Sequence, residues 1–271
     1  MPELPEVETT RRGIRPWLVD RWIVEVVVRE PRLRWPVPAD LDEQLCGARI
    51  HEVRRRGKYL ILDTAAGAVL LHLGMSGSLR VVEATQPPDT HDHVDFVLDS
   101  GKALRLRDPR RFGAVIWAGA RPEAHPLLAG LGPEPFDPAF DGDWLYQHAQ
   151  GRRVAVKPFI MDARVVAGIG NIYANEALWV AAIDPRRSAG RIAKERYQRL
   201  ADAIRQVLRE AIEAGGTTLR DFVREDGRPG YFGRVLRVYG RAGAPCPRCG
   251  TPIRRGVLGQ RSTFWCPRCQ H

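Results

Sequence analysis

Two places in this 271-residue sequence combine residue types and spacing that can do chemistry. The first is the start, Met-Pro-Glu-Leu-Pro-Glu. Removal of Met1, the usual processing before a small residue such as proline, leaves a secondary amine on Pro2 with the carboxylic acid of Glu3 beside it. An α-amine titrates near 7.7 to 8.0 against about 10.4 for lysine, so near neutral pH its nucleophilic free-base fraction is larger by roughly two orders of magnitude. Such an amine can condense with a sugar aldehyde to an iminium. A positive helix end would lower its pKa, while Glu3 and Glu6 would raise it. On composition alone, the same Pro-Glu pair is also good helix capping.

The second place is the C-terminus, where Cys246-x2-Cys249 and Cys266-x2-Cys269 are separated by sixteen residues. Each x2 pair aims two thiolates at one point, and a closed four-thiolate shell is what structural zinc prefers. A catalytic zinc would keep a position open. Disulfides are the alternative, and they are out of place in a chain whose N-terminus carries three glutamates where a secretion signal would be basic. Between the pairs, Gly-Val-Leu-Gly-Gln-Arg-Ser-Thr-Phe-Trp predicts a hairpin with Arg261 at its tip. The fifth cysteine, Cys46, reads as a small buried hydrophobe.

Other residues suit contacts with a large partner. Met75 in Leu-Gly-Met-Ser-Gly and Phe112 in Asp-Pro-Arg-Arg-Phe-Gly are bulky apolar residues beside glycine in predicted turns. They are either wedges that enter a base stack or buried loop anchors. Lys58 closes Arg54-Arg55-Arg56-Gly57-Lys58, which otherwise reads as a solvated basic strand. Asn171 follows Gly168-Ile-Gly170, a turn that is either a phosphate cradle of backbone amides or an ordinary helix start.

The elements that must position these residues change character halfway. Residues 2 to 16 predict a helix, with Pro2 and Pro5 in the first turn and Val7, Ile14 and Leu18 near one face. Short β-branched segments follow near 21–30, 49–63, 67–73, 78–83, 93–99, 102–107 and 113–117, predicting an antiparallel sandwich or barrel. Residues 120–143 are rich in proline and glycine. Helical periodicity then marks 143–149, 162–167, 171–181 and about 189–214, the last ending at Gly215-Gly216. The long loop at 217–234 has the length of functional loops.

Composition narrows the function. With 44% hydrophobic and 27% charged residues the chain can bury more than one core, which excludes a disordered tail or a fibre. No apolar run approaches the roughly 18 to 20 residues of a membrane span, and a cytoplasmic protein is expected. The net charge is +10, and residues 228–271 hold nine arginines with no acidic residue. Thirty-eight of the 42 basic residues are arginine, a type suited to bidentate phosphate contacts. A polyanionic partner is implied.

Six motifs occur in order along the whole chain: Met-Pro-Glu-Leu-Pro-Glu-Val-Glu-Thr at the start, Arg-Gly-Lys-Tyr-Leu at 56–60, Leu-Gly-Met-Ser-Gly at 73–77, Asp-Pro-Arg-Arg-Phe-Gly at 108–113, Gly-Asn-Ile-Tyr-Ala-Asn-Glu at 170–176, and the ribbon with Gly-Gln-Arg-Ser-Thr-Phe. Together they resemble bacterial formamidopyrimidine-DNA glycosylases. Leu4 favours this purine branch over the endonuclease VIII branch, which removes oxidised pyrimidines and typically opens Pro-Glu-Gly-Pro-Glu.

The resemblance implies an α+β multidomain protein: an N-terminal antiparallel β-sandwich with an N-terminal helix (1–132), a linker (133–152), a helix-two-turns-helix domain (153–236) with a lesion loop at 217–234, and a zinc ribbon (237–271), with DNA in the cleft between. It implies excision of 8-oxoguanine opposite cytosine and of formamidopyrimidines from duplex DNA, then nicking of the abasic site. Pro2 would be the nucleophile at C1′ and Glu3 the proton donor, with Lys58 acting in β-elimination and Arg261 in δ-elimination. Met75, Arg110 and Phe112 would fill the gap left by the flipped nucleotide, with Arg110 facing the orphaned cytosine. His72, His91, Arg152, Asn171 and Tyr239 would contact DNA, and Cys246, Cys249, Cys266 and Cys269 would hold one structural zinc. A monomer in the bacterial cytoplasm, associated with the nucleoid, is expected. The competing readings are a zinc-ribbon DNA binder without catalysis and an oxidised-pyrimidine glycosylase.

Overall fold

The computed structural model describes residues 2–216 and 236–271, so the predicted lesion loop at 217–234 lies outside the described residues. The described chain forms two compact units, residues 2–129 with 214–216 and residues 130–213 with 236–271.

The first unit opens with helix α1 (Leu4–Leu18), two residues later than the sequence predicts. Glu3 takes the N-cap in extended backbone, so Pro2 precedes the helix and does not enter its first turn. Strand β1 (Ile23–Val28), the short helix α2 (Leu41–Leu45), β2 (Ile50–Arg56), β3 (Tyr59–Thr64), β4 (Ala68–His72), β5 (Ser78–Glu83), β6 (Asp92–Leu98), β7 (Lys102–Arg107) and β8 (Ala114–Gly119) follow. They make two four-stranded antiparallel sheets, in the orders β1-β6-β7-β5 and β2-β3-β4-β8. The single stretch predicted at 49–63 is two strands, because Gly57 takes φ +57° and turns the chain at Gly57-Lys58. Val7, Ile14 and Leu18 of α1 join Ile23 and Phe96 from one sheet and Leu60, Leu71 and Val115 from the other in one core. Burying each such side chain stabilises the unit by roughly 1.5–3 kcal/mol.

Cys46 departs from expectation. It is exposed, with its thiol against the Val24 carbonyl oxygen at 3.1 Å. It ends a one-turn helix whose inward positions are already filled by Leu41 and Leu45, leaving the cysteine on the outer side.

The second unit contains α4 (Gly142–Ala149), α5 (Val156–Met161), α6 (Asn171–Val180) and α7 (Lys194–Glu213), preceded in the chain by α3 (Pro126–Ala129) of the first. α4 corresponds to the helix predicted at 143–149, inside the 133–152 stretch expected as a linker. The helix predicted at 162–167 is displaced to α5, where Pro158 is accommodated in the first turn. Residues 162–167 are turns instead, since the Asp162 carboxylate accepts the Arg164 N–H at 3.0 Å and so competes with helical pairing. α7 buries Tyr197, Leu200, Ile204, Val207, Leu208 and Ala211 at helical spacing. The ribbon pairs β9 (Arg254–Leu258) with β10 (Arg261–Trp265). The turn is Gly259-Gln260, both with positive φ, so Arg261 stands beside the tip as the first residue of β10.

Candidate functional site

The N-terminal residues take their position from the start of α1. Glu3 and Glu6 form a capping box in which the Glu3 N–H donates to Glu6 Oε2 at 2.9 Å, and both side chains are buried. Helix N-terminal amides make such burial of carboxylates tolerable. Glu8 pins α1 to β2 by accepting from Arg11, Arg12 and Arg55. Burial opposes its ionisation, and the guanidinium groups outweigh burial and hold it at about 2. Arg11 also donates to the Val53 carbonyl at 3.3 Å. The segment carrying Pro2 and Glu3 is therefore fixed to the sandwich core, where chain termini usually fray.

Lys58 sits in the β2–β3 turn, and the pairing of Tyr59 with His72 brings His72 beside it. The His72 ring lies 4.8 Å from that of Tyr59, and its Nδ1 accepts the Gly74 N–H at 3.1 Å, which leaves Nε2 to carry the proton. Burial first, then Lys58 and Arg34, push its pKa down to about 4 against the opposing pull of Asp108. An unfolded histidine takes up its proton near 6.5, so the His72 contribution to stability is intact at neutral pH and is lost as pH falls from 6.5 toward 4. Comparing denaturation at pH 7 and pH 4.5, His72→Gln should lose roughly 1–3 kcal/mol less stability than the parent. An identical pH dependence in both would contradict this assignment.

Met75 and the Arg110–Phe112 segment sit on two loops that touch. Phe112 is 44% exposed and Met75 half-buried, so Phe112 fits the wedge reading of an exposed tip. The Arg110 guanidinium lies 4.9 Å from the Phe112 ring. A Cβ on Gly74, which has φ +61°, would lie 2.3 Å from the Phe112 carbonyl carbon, so only glycine permits this approach. His91, half-buried, accepts the Asp108 N–H on its backbone oxygen at 3.0 Å, and its ring meets that of buried His93 edge-on.

In the second unit, buried polar residues of α5 and α6 organise the remaining candidates. Asn171 is the first residue of α6, after Gly168 at φ +89°, and its buried Oδ1 has no hydrogen-bond partner among the described residues. Asn175, fully buried, donates to the Asn171 carbonyl at 2.6 Å and accepts the Phe264 N–H of β10 at 2.7 Å. Glu176, also fully buried, accepts the backbone N–H groups of Arg237, Val238 and Tyr239 at 2.8–2.9 Å, though burial raises its pKa. The Tyr239 ring then packs edge-on against Phe264 at 5.2 Å. Buried Lys157 of α5 donates to the Ser262 carbonyl at 2.9 Å and to Thr263 Oγ1 at 2.8 Å, holding β10 just beyond Arg261. Exposed Arg152 presents its carbonyl to Ser188 and Gly190. Neither motif spacing nor periodicity in the sequence points to Lys157, Asn175, Glu176 or Asp108 for these roles. The available signal for Lys157 was its type, a lysine in a chain that uses arginine almost everywhere.

The four ribbon cysteines converge, with all sulfurs within 4.8 Å of one another. Cys249 and Cys266 sulfurs are 3.5 Å apart and those of Cys246 and Cys269 4.0 Å, close to the roughly 3.8 Å edge of a tetrahedron with Zn–S bonds of about 2.3 Å. Trp179 Nε1–H donates to Cys246 Sγ at 3.4 Å, the type of outer contact that orients a thiolate ligand. The set closes around one structural zinc.

Comparison with known proteins places the helical unit and ribbon first: residues 131–223 match the H2TH domain of formamidopyrimidine-DNA glycosylase, and residues 243–271 match a zinc finger found in FPG and IleRS. Residues 1–115 match the formamidopyrimidine-DNA glycosylase N-terminal domain. Relatives called formamidopyrimidine-DNA glycosylase include those of Syntrophotalea carbinolica, 62% identical over 270 residues, and Methylococcus capsulatus, 63% identical over 270 residues, each match covering 100% of both chains. Among solved structures, the MutM (Fpg) protein of Thermus thermophilus is 41% identical with a TM-score of 0.88, covering 99% of this chain and 98% of that one. The Lactococcus lactis Fpg in complex with DNA containing Fapy-dG is 32% identical with a TM-score of 0.90, covering 99% of this chain and 100% of that one. The chain belongs to the formamidopyrimidine-DNA glycosylase family.

Proposed function

We propose that Pro2 is the nucleophile with which this chain performs base-excision repair. The protein is a bifunctional enzyme, a DNA glycosylase that removes oxidised purines and a lyase that nicks the abasic site, and its partner is damaged duplex DNA. The Pro2 nitrogen attacks C1′ as the C1′–N bond to the base breaks, and Glu3 supplies the proton that assists base loss and ring opening. In the resulting iminium, loss of the C2′ proton expels the 3′ phosphate with help from Lys58. A second elimination, assisted by Arg261, expels the 5′ phosphate. Met75, Arg110 and Phe112 occupy the space of the extruded nucleotide, with Arg110 toward the opposite cytosine, while His72, His91, Arg152, Asn171 and Tyr239 contact the strand. The enzyme acts as a monomer in the cytoplasm, at the nucleoid.

The observation that carries the reading is the fixed Pro2-Glu3 segment, capped by Glu6 at the head of a core helix. The test is borohydride trapping on duplex DNA with one 8-oxoguanine opposite cytosine, which reduces the iminium to a stable covalent complex. A band is expected for the processed protein and none when Met1 is retained, since the Pro2 nitrogen is then an amide. Tight binding without a band, followed by trapping on thymine glycol, would reassign the substrate to oxidised pyrimidines. Binding with no band on either lesion would leave a DNA-binding protein.

A further inference from the structure

Asp108 is fully buried at the end of β7 and touches both loops that carry the proposed wedge residues. Its Oδ1 accepts the Ser76 hydroxyl at 2.8 Å and the Arg110 N–H at 3.3 Å, and its Oδ2 accepts the Gly113 N–H at 2.7 Å. One carboxylate thus grips the residue after Met75 and both flanks of Arg111-Phe112. Its backbone is equally committed: the N–H donates to the His91 carbonyl, while the carbonyl accepts the Arg111 N–H at 3.1 Å and lies 2.8 Å from His93 Nε2. Arg111 sits in the left-handed region at φ +56° and is held there by this turn and by Glu30 at 3.0 Å. A Cβ on Gly113 would lie 2.8 Å from the His72 carbonyl oxygen, so the close approach of the Phe112–Gly113 backbone to the end of β4 requires glycine here.

We infer that Asp108 is a positioning residue that locks the Met75 loop and the Arg110–Phe112 loop into one rigid wedge, and that this rigidity sets the preference for cytosine opposite the lesion. The inference rests on the reading that Met75, Arg110 and Phe112 fill the vacated space. A wedge must keep its shape against a base stack that resists opening, and a side chain that reads the opposite base discriminates only from a fixed position. Asp108 touches neither DNA nor reacting atoms in this scheme. It acts through the two loops.

The test compares three substrates in Asp108→Ala and Ser76→Ala: 8-oxoguanine duplexes with cytosine or with adenine opposite, and a single-stranded oligonucleotide with an abasic site, trapped with borohydride. The single strand offers no stack to open and no opposite base to read. Asp108→Ala should lower excision opposite cytosine by about 10- to 100-fold, as misplacement by about an ångström does, and bring the cytosine-to-adenine preference near one. Single-strand trapping should stay within about threefold of the parent, because the capping contact that sets the α1 terminus runs between Glu3 and Glu6 and includes neither loop. Loss of both activities in proportion, or an unchanged preference, would overturn the inference. Should Asp108→Ala not fold, Ser76→Ala removes only the bond between the loops and should still narrow the preference; no narrowing would equally overturn it. A combined Met75→Ala, Arg110→Ala, Phe112→Ala variant separates the two levels. If it keeps parental duplex activity and preference, the wedge reading itself fails. If it loses them while Asp108→Ala and Ser76→Ala do not, only the role of Asp108 fails.

Discussion

Glu3→Gln is expected to lower release of 8-oxoguanine from duplex DNA by about 10²- to 10⁴-fold, the range that a positioned proton donor contributes. The amide keeps the shape of the carboxyl group but cannot supply the proton that base loss requires. It also remains able to cap α1, so the fold should lose no more than about 1 kcal/mol. Single-turnover excision at pH 7 reads the first effect and thermal unfolding the second. The informative control is trapping on a duplex that already holds an abasic site, where the base is gone and iminium formation expels only water, so the loss there should be smaller than the loss of base release. Equal losses on both substrates would move the proton-donor role away from Glu3.

Removing zinc should have an effect as large through a different route. β9 and β10 form a two-stranded sheet, which is marginal on its own in water. The apolar cluster beneath it is small, with Trp179, Val238, Ile253 and Phe264 joined by two of the cysteines themselves. Apparent zinc-binding energies in zinc-finger peptides reach about 10–16 kcal/mol, so the metal dominates the stability of this segment. Chelation, or Cys249→Ser, should unfold the ribbon and free Arg261, weakening duplex binding by about 100-fold or more through lost phosphate contacts. Trp179 and Trp265 fluorescence should change with metal release, and a thiol-modifying titration should liberate one zinc per chain. Unchanged duplex affinity after verified zinc loss would mean that the ribbon plays no part in binding.

Much of this was readable from residue type and spacing. The cysteine pairs declare their purpose because tetrahedral thiolate chemistry needs so little context. The β-branched segments of the first half correspond to strands, since an alternating pattern over short runs reflects burial on one side of a sheet. The boundary errors have local causes. At α1 the true start depends on Glu6 reaching back to the Glu3 amide, a contact that spacing permits but does not require. At 156–161, Pro158 disguised a helix by standing in its first turn.

The residues that hold the site together were harder to see. Lys157, Glu176, Asn175 and Asp108 are charged or polar side chains at full burial. By type alone each reads as a surface residue, because such groups are almost never buried without partners. For Lys157, Asn175 and Glu176 the partners include backbone amides and carbonyls distant in sequence: Lys157 meets Ser262, Asn175 meets Phe264, and Glu176 meets residues 237–239, while Asp108 reaches across to the Ser76 hydroxyl. No periodicity records such pairs, since any residue can offer a backbone group. The exposed chemistry was legible from sequence because it must be of a certain type; its supports needed coordinates because they depend on place.

The capping of α1 has a consequence for how the enzyme can be damaged. The proposed nucleophile is a single peptide unit from an amide bonded to Glu6, on a 15-residue helix whose Val7, Ile14 and Leu18 are packed in the sandwich core. Its aim is thus set by a lever whose far end lies about 20 Å away along the helix axis. A cavity at Ile14 or Leu18 would tilt that lever, so substitutions deep in the hydrophobic interior should register as faults in bond-making chemistry while the folded population is still intact.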